Sequence, residues 1–311
     1  MKKISYSAWK KYMTCPKLYD LHYNSELRQV GTSSALVFGS AIDAALNAAL
    51  MKTEDPIKAF HDAFKFENFK DVEWDRRDYD YDLFTFEQYQ RIKGESQEYR
   101  AWASMRIKGR LMIEAYVDQI LPKITKVYHV QKELIGRKGN IDAIVEFKGH
   151  GKVLVDHKTS ARPYASDAVL TDPQLSLYAH SEGLTTAAFV VLIKEIQKNK
   201  VKTCVKCKFS SGHVRHKSCP EIFNGARCHG DFAETVNPAA NIQLLIGKIP
   251  QISKDLVVES ISETERAIDA KIFPRNLNSC GKMYGKPCPY INFCWNNDET
   301  MLQYTKSKEK K

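Results

Sequence analysis

Hydrophobic and polar positions follow two different periods along this chain. Up to about residue 121 the apolar residues recur every three or four positions, the spacing of one helical face. Trp9, Tyr12 and Met13 give the first such face, with Ser5 or Ser7 placed to cap it. Cys15-Pro16 then breaks the helix, and Pro16 suits the first position of the next one. The small-residue stretch GTSSALVFGSAIDAALNAAL predicts a loop entering a buried helix, with Gly39 near its start. Residues 71–82 are acidic and aromatic and predict an exposed loop. Residues 83–121 predict helix, stopping before Pro122.

Beyond that point the period shortens to two. The segments 126–135, 141–147 and 152–157 are rich in β-branched residues, with turn signals at 136–140 and 149–151 between them. They predict three strands of one sheet. A helix around 172–182 follows, started by Asp172-Pro173, and then a wholly apolar strand, AAFVVLI, at 187–193. A cysteine-rich insertion spans about 200–232, and a long helix is expected over about 235–270. The final residues, TKSKEKK, predict a disordered basic tail, and no internal repeat is visible. The order of elements makes the fold α/β: a central mixed sheet flanked by helices, with a helical N-terminal region and a small insertion.

Composition adds limits. Of 311 residues, 43% are apolar and 27% charged, enough to bury a substantial core. Lys and Arg exceed Asp and Glu by 47 to 37, a formal charge of +10, which favours a polyanionic partner such as nucleic acid. The first residues lack the apolar run of a signal peptide, and no stretch of about 18 apolar residues stands out to span a membrane. A cytoplasmic protein with no membrane partner is expected.

The candidate chemistry lies where the strands end. Asp142 opens one strand and Asp156 lies near the end of the next, with Lys158 two residues on and so on the same face. A hairpin would bring the two carboxylates and the amine to one sheet edge. Carboxylate oxygens suit Mg²⁺ or Mn²⁺, and such an ion with a nearby lysine suits phosphodiester hydrolysis. Taken alone, two strand-end aspartates and a surface lysine are more often turn residues and solvated charge.

The sequence GNIDAIVEF followed by VLVDHKTS resembles the core of the PD-(D/E)XK nuclease superfamily, and most closely its RecB-like branch of CRISPR-associated and AddB-type exonucleases. Gln174 and Tyr178, sixteen residues and more after Lys158, match that branch's Q-x-x-x-Y motif and sit at i and i+4 of a helix. The resemblance implies that both hydrogen-bond DNA or the active-site lysine, and that the backbone carbonyl of His157 binds metal while its imidazole need not. The branch also carries an upstream G-x-x-x-H whose histidine is a metal ligand. Here Gly39-Ser-Ala-Ile-Asp43 stands in its place, so Asp43 replaces the histidine. A carboxylate can serve the same metal, although a residue early in a helix also gains from the helix dipole. Glu133 reads as an exposed strand residue that could add another acid.

The eight cysteines fall into groups that suggest metal rather than disulfides. Cys15 stands before the core, and Cys280, Cys288 and Cys294 follow it, with gaps of seven and five residues. The resemblance implies that these four hold a [4Fe–4S] cluster that staples the chain's two sides; zinc is the rival occupant. Cys204, Cys207, Cys219 and Cys228 read C-x2-C-x11-C-x8-C, which suits a Zn²⁺ site; His213, His216 or His229 could replace one sulfur. From Lys194 to Lys217 there are eight Lys or Arg and one Glu, so the insertion could grip phosphates or be merely a solvated loop. The expected division is 1–125 helical, 126–199 catalytic core, 200–232 zinc insertion, 233–299 helix and iron–sulfur region, and 300–311 tail.

The function expected is a Mg²⁺/Mn²⁺-dependent DNA exonuclease acting on ends or single strands in recombination, repair or phage DNA metabolism, with a helicase or recombination protein as the expected partner. A non-cutting DNA-binding subunit and an RNA nuclease or RNA-binding zinc protein are the alternatives.

Overall fold

A computed structural model describes residues 3–29, 31–69, 72–207, 210–211, 222–223, 225–228, 230, 232–281, 287–298 and 302–304. Its centre is a mixed sheet of five main strands: β1 Ile124–Glu133, β2 Asn140–Phe147, β3 Gly151–Ser160, β4 Thr186–Cys204 and β5 Phe232–Lys248. Their spatial order is β5-β4-β3-β2-β1, with the short strand Ser210–Ser211 paired to β4. Only β3 and β4 run parallel; the other main pairs are antiparallel. The parallel pair needs a crossover, and helix α4 (Pro173–Glu182) supplies it. Asp172 caps α4 by accepting from Leu175 N, Pro173 fills its first position, and Gly183 ends it at φ 64°.

Both sheet faces are covered. Along β3 and β4, Val153, Val155, Ala188, Val190 and Leu192 point into one core. Leu154, Ala187, Phe189, Val191 and Ile193 point into the other. That alternation with apolar residues on both sides is why 187–193 reads as a continuous apolar run. The first core is closed by α2 (Ser34–Met51) and α3 (Gln97–Gln119). The second is closed by α1 (Tyr6–Thr14), α4 and α5 (Gln251–Asp269). Where the helix Pro56–Ala63 packs on α3, a Cβ on Gly109 would lie 2.2 Å from the Phe60 ring, so the close approach requires glycine.

Several expectations are corrected. The helix expected over 235–270 is a strand followed by a helix: β5 runs to Lys248 and α5 begins at Gln251. Pro238 and Pro250 discourage one continuous helix, and Ile242, Leu244 and Ile246 alternate onto the first core with period two. The helix expected over 83–121 is two, Phe86–Ile92 and α3, with Ser96 capping α3 through Tyr99 N. Met13 lies off the buried face of α1 and is 53% exposed, whereas Trp9 and Tyr12 are buried. Helix α2 does meet the length and apolarity of a membrane span, contrary to the reading that no such stretch exists. Half of it is buried within the protein, and it carries Asp43.

Residues far apart in sequence close the fold. The Trp9 indole N–H donates to Ser260 Oγ at 3.2 Å. Buried Glu265 accepts from Ile4 N at 3.1 Å and pairs with Arg137 at 2.5 Å and Lys3 at 3.4 Å. The strand Leu27–Gln29 pairs antiparallel with Leu302–Tyr304.

Candidate active site and thiol clusters

The active-site candidate sits where β2 and β3 part. Their pairing ends at Ala143 and Val155, so the next residues, Asp142 and Asp156, flank a fork between strand ends. The Asp142 carboxylate accepts from the His157 backbone N–H at 2.7 Å. Asp156 is almost fully buried and pairs with the Lys158 ammonium at 2.6 Å. Lys158 also donates to Gln174 Oε1 at 3.2 Å, and Gln174 Nε2 donates to the Tyr178 hydroxyl at 3.2 Å. The i, i+4 pair on α4 therefore reaches the lysine in a continuous chain. Gly139, close to the Tyr178 hydroxyl, sits at φ 145°, which side chains rarely adopt, and a Cβ there would lie 3.2 Å from the Leu134 side chain.

Helix α2 brings Asp43 to the same fork. Gly39, one turn earlier, faces Thr159 of β3 with room for close approach, which sets the helix against the strand end. Ligand atoms of Asp43, Asp142 and His157 all lie within 4.8 Å of one another. The family resemblance led to a His157 backbone carbonyl as the contributor; in the structure the imidazole itself faces the carboxylates, its Nδ1 3.9 Å from Asp142 Oδ2. Glu133 is exposed and is not in this group.

Three further residues shape the site and were not foreseen. The Tyr116 hydroxyl of α3 lies 3.2 Å from His157 Nε2. Gln131 sends its amide to both oxygens of Asp43, at 3.2 and 3.1 Å, and Asn47 donates to Asp43 at 3.2 Å. Gln131 sits at φ 51° in β1, within a stretch that pairs with β2 in unbroken register from Val130 to Glu133. A left-handed glutamine in a strand is strained, and its amide is the group that reaches Asp43.

Electrostatics follow from burial. Burial raises the Asp156 carboxyl to about 7 against the pull of Lys158, and the Asp142 carboxyl to about 6 against the His157 amide. Burial also raises Asp43, and Asp156 adds to the rise. Burial lowers Lys158, but Asp156 beside it outweighs that and leaves the ammonium above its ordinary range. His157 is pushed down to about 3 by burial and by Lys158, so its ring is neutral at physiological pH. Three carboxyls that resist ionising together are what a site gains from when a divalent cation offsets their charge.

A family model of the PD-(D/E)XK nuclease superfamily matches residues 3–294. The chain belongs to that superfamily. A search of curated proteins returned no match. The PD-(D/E)XK proteins are nuclease-type hydrolases that use divalent metals on DNA, and the matched span contains the fork. The orphaned, buried His157 Nδ1 beside Asp43 and Asp142 is a donor set that fits such a metal.

The superfamily protein carries two thiol groups away from the fork. At the end of the β4–β5 ribbon, the Cys204, Cys207 and Cys228 sulfurs lie within 4.8 Å of one another. Backbone N–H groups of Cys207 and Lys206 hold the Cys204 thiol down to about 6. The Gly230 N–H does the same for Cys228, although burial leaves that thiol above its ordinary value. A Cβ on Gly230 would lie 2.7 Å from Cys204 Sγ, so the cluster requires glycine there, a signal legible as Cys228-x-Gly230. Cys219, His213, His216 and His229 lie outside the described residues. The insertion is not a separate module at its root: β4 and β5 pair continuously from Thr186/Lys248 to Cys204/Phe232, with one slip.

The second group brings Cys15 together with Cys288 and Cys294 beside Tyr290. Burial raises the Cys288 thiol, and Cys280, Cys15 and Cys294 each add to it; these four sulfurs do not draw within 4.8 Å of one another as the Cys204 group does. Asn276 N donates to Cys15 Sγ at 3.3 Å, and Arg275 Nε to Cys294 Sγ at 3.1 Å. A groove of about 1780 Å³ also opens on the protein. It lies beyond the end of β3, from Arg162 past Lys108, Lys194 and Lys198, and not at the carboxylates. The acidic segment at 71–82 edges it: Asp80 and Asp82 pair with Lys198 at 2.9 and 2.7 Å.

Proposed function

We propose that this protein is a divalent-metal-dependent deoxyribonuclease, acting as an exonuclease on DNA ends or single strands. The observation that carries the reading is the chain Asp156–Lys158–Gln174–Tyr178 ending at the fork that Asp142 and Asp43 share. A divalent cation, Mg²⁺ or Mn²⁺, would be held by Asp142, Asp156 and Asp43, and when bound it supplies the Lewis acidity that lowers the pKa of a water and offsets phosphate charge. Gln174 and Tyr178 hold the Lys158 ammonium in place, where it orients the attacking water and stabilises developing negative charge. The basic side chains of the adjoining groove hold the phosphate backbone.

Four thiolates at Cys15, Cys280, Cys288 and Cys294 suit a [4Fe–4S] cluster that joins the protein's N- and C-terminal parts. The tighter Cys204, Cys207 and Cys228 group suits a zinc knuckle, with Cys219 as the fourth ligand. Recombination, repair or phage DNA metabolism in the cytoplasm, beside a helicase, is the setting in which such an exonuclease would work. The replacement of the expected histidine by Asp43 favours one second reading, a DNA-binding subunit that no longer cuts. Anaerobically purified protein incubated with end-labelled single- and double-stranded DNA and Mn²⁺ separates the two. Release of mononucleotides from one end by the wild type, and its loss in Lys158→Ala, is expected. Equal inertness of both proteins would refute the enzyme.

A further inference from the structure

One buried group at the fork has no partner. The His157 side chain is only 4% exposed, yet its Nδ1 accepts and donates no hydrogen bond. Leaving a ring nitrogen unpaired in a protein interior costs on the order of 1–3 kcal/mol, so such a group calls for a ligand. The other ring nitrogen is fixed: Nε2 lies 3.2 Å from the Tyr116 hydroxyl. With the proton on Nε2 and donated to Tyr116, the Nδ1 lone pair is free. Nδ1 lies 3.9 Å from Asp142 Oδ2, and a ring nitrogen of His157 and one oxygen each of Asp43 and Asp142 lie within 4.8 Å of one another. Tyr116 is itself buried and rigid in the first core, so the ring cannot turn away at little cost. Histidine ligands are oriented in this way, by a hydrogen bond on the nitrogen that does not bind.

The same space excludes an ordinary pairing. Asp142 already accepts the His157 amide at 2.7 Å, and 3.9 Å between Nδ1 and Oδ2 is too long for a direct hydrogen bond. Three ligand atoms around a gap slightly too wide for contact are the arrangement a cation of about 2 Å bond length would close. Nor is Asp43 free to swing out, since Gln131 and Asn47 hold both its oxygens in place.

We infer that His157 binds the divalent cation of this site through Nδ1, as a nitrogen ligand added to the carboxylates and next to Asp43 and Asp142, and so tunes the site toward Mn²⁺ over Mg²⁺. The inference rests on the metal-dependent reading above. It moves the nitrogen ligand from the helix, where Asp43 stands, to the strand residue between Asp156 and Lys158. Imidazole nitrogen suits a transition ion, whereas Mg²⁺ favours oxygen, so the ligand set itself carries the preference.

Pulsed EPR of Mn²⁺ bound to the full chain reads this directly. The expected result is a nitrogen coupling on Mn²⁺ that changes when the protein carries ¹⁵N-histidine and disappears in His157→Gln. Equilibrium titration should show Mn²⁺ affinity falling roughly tenfold or more in that variant, with Mg²⁺ affinity falling less. Tyr116→Phe keeps Nδ1 and should keep the coupling. The wild-type labelling measurement needs no variant, so poor folding of His157→Gln would not rescue the idea. Bound Mn²⁺ without nitrogen coupling, or a coupling that survives His157→Gln, overturns the inference. If such a protein still cuts DNA, the nuclease reading stands alone. A nitrogen-coupled Mn²⁺ in a protein that cuts nothing keeps the inference and sinks the nuclease reading. Failure to bind Mn²⁺ at all removes both.

Discussion

The carboxylate fork and the thiol knuckle are both candidate metal centres, but they are assembled in opposite ways. The fork draws Asp43, Asp142 and His157 from a helix and two strands, and packing over two cores holds them before any ion arrives. The knuckle draws Cys204 and Cys207 from adjacent residues of one ribbon end, with Cys228 returning on the other side. Among the described residues, its apolar cluster holds only the cysteines themselves. The difference teaches that an ion at the fork would serve chemistry while the fold stands without it, whereas an ion at the knuckle would serve the local fold.

The largest effect should separate chemistry from folding at the fork. Lys158→Ala is expected to lower the cleavage rate by on the order of 10²–10³-fold or more, because an aligned donor to developing charge is lost. Its melting temperature should stay near wild type, and a variant that melts far lower would break the claim that packing alone builds the fork. Next comes the converse test at the knuckle. Cys204→Ser, or zinc chelation, should speed amide exchange in 201–207 and 226–234 by roughly a hundredfold and leave β2 and β3 protected. Loss of protection throughout the sheet would erase the contrast.

A smaller effect is expected from Gln131→Gly. It relieves a left-handed φ of 51° but removes both amide contacts to Asp43. Metal affinity should fall roughly tenfold by titration while stability stays within about 1 kcal/mol. Unchanged affinity would mean that Asp43 needs no orientation.

The smallest effect concerns pH. Asp142 and Asp156 hold protons more tightly folded than unfolded, with carboxyls raised from 3.8 to about 6 and about 7. Their protonation therefore stabilises the metal-free fold fully below about pH 4, and that contribution is lost as pH rises through 6 to 7. Melting of the metal-free protein should drop by roughly 2–8 °C from pH 5 to pH 8 on this account, and Asp142→Asn should flatten the drop. Calorimetry with Mn²⁺ at pH 8 should recover it. A melting temperature that rises over the same range would show that the fork does not strain the fold.

Much of this was legible in residue order. Asp142, Asp156 and Lys158 could be placed together because strand alternation and a short turn fix their geometry within twenty residues. Gln174 and Tyr178 were legible because a helix sets i and i+4 on one face, and the structure links them to Lys158. Tyr116, Gln131 and Asn47 were not, since each reaches the fork only through the way α2, α3 and β1 pack, which no local spacing encodes. The place of the His157 ring was not legible either. Alternation puts its side chain on the opposite face from Asp156 and Lys158, and only the packing of α2 and α3 on that face brings Asp43 and Tyr116 to it. The long helix expected over 235–270 failed because apolar residues dense on both faces of a strand imitate a helical stripe, and the two prolines were given too little weight.

The clasp between α1 and α5 bears on the timing of synthesis. Trp9 meets Ser260 across 251 positions, and Ile4 meets Glu265 across 261. At roughly 5–20 residues per second, the ribosome needs on the order of ten seconds or more to deliver the partner of a helix it made first. Throughout that interval the aromatic face of Tyr6, Trp9 and Tyr12 has nowhere to dock. Helix α1, made well before its partner, is thus among the last elements to settle, and a nascent chain stalled before residue 250 would display that face to chaperones.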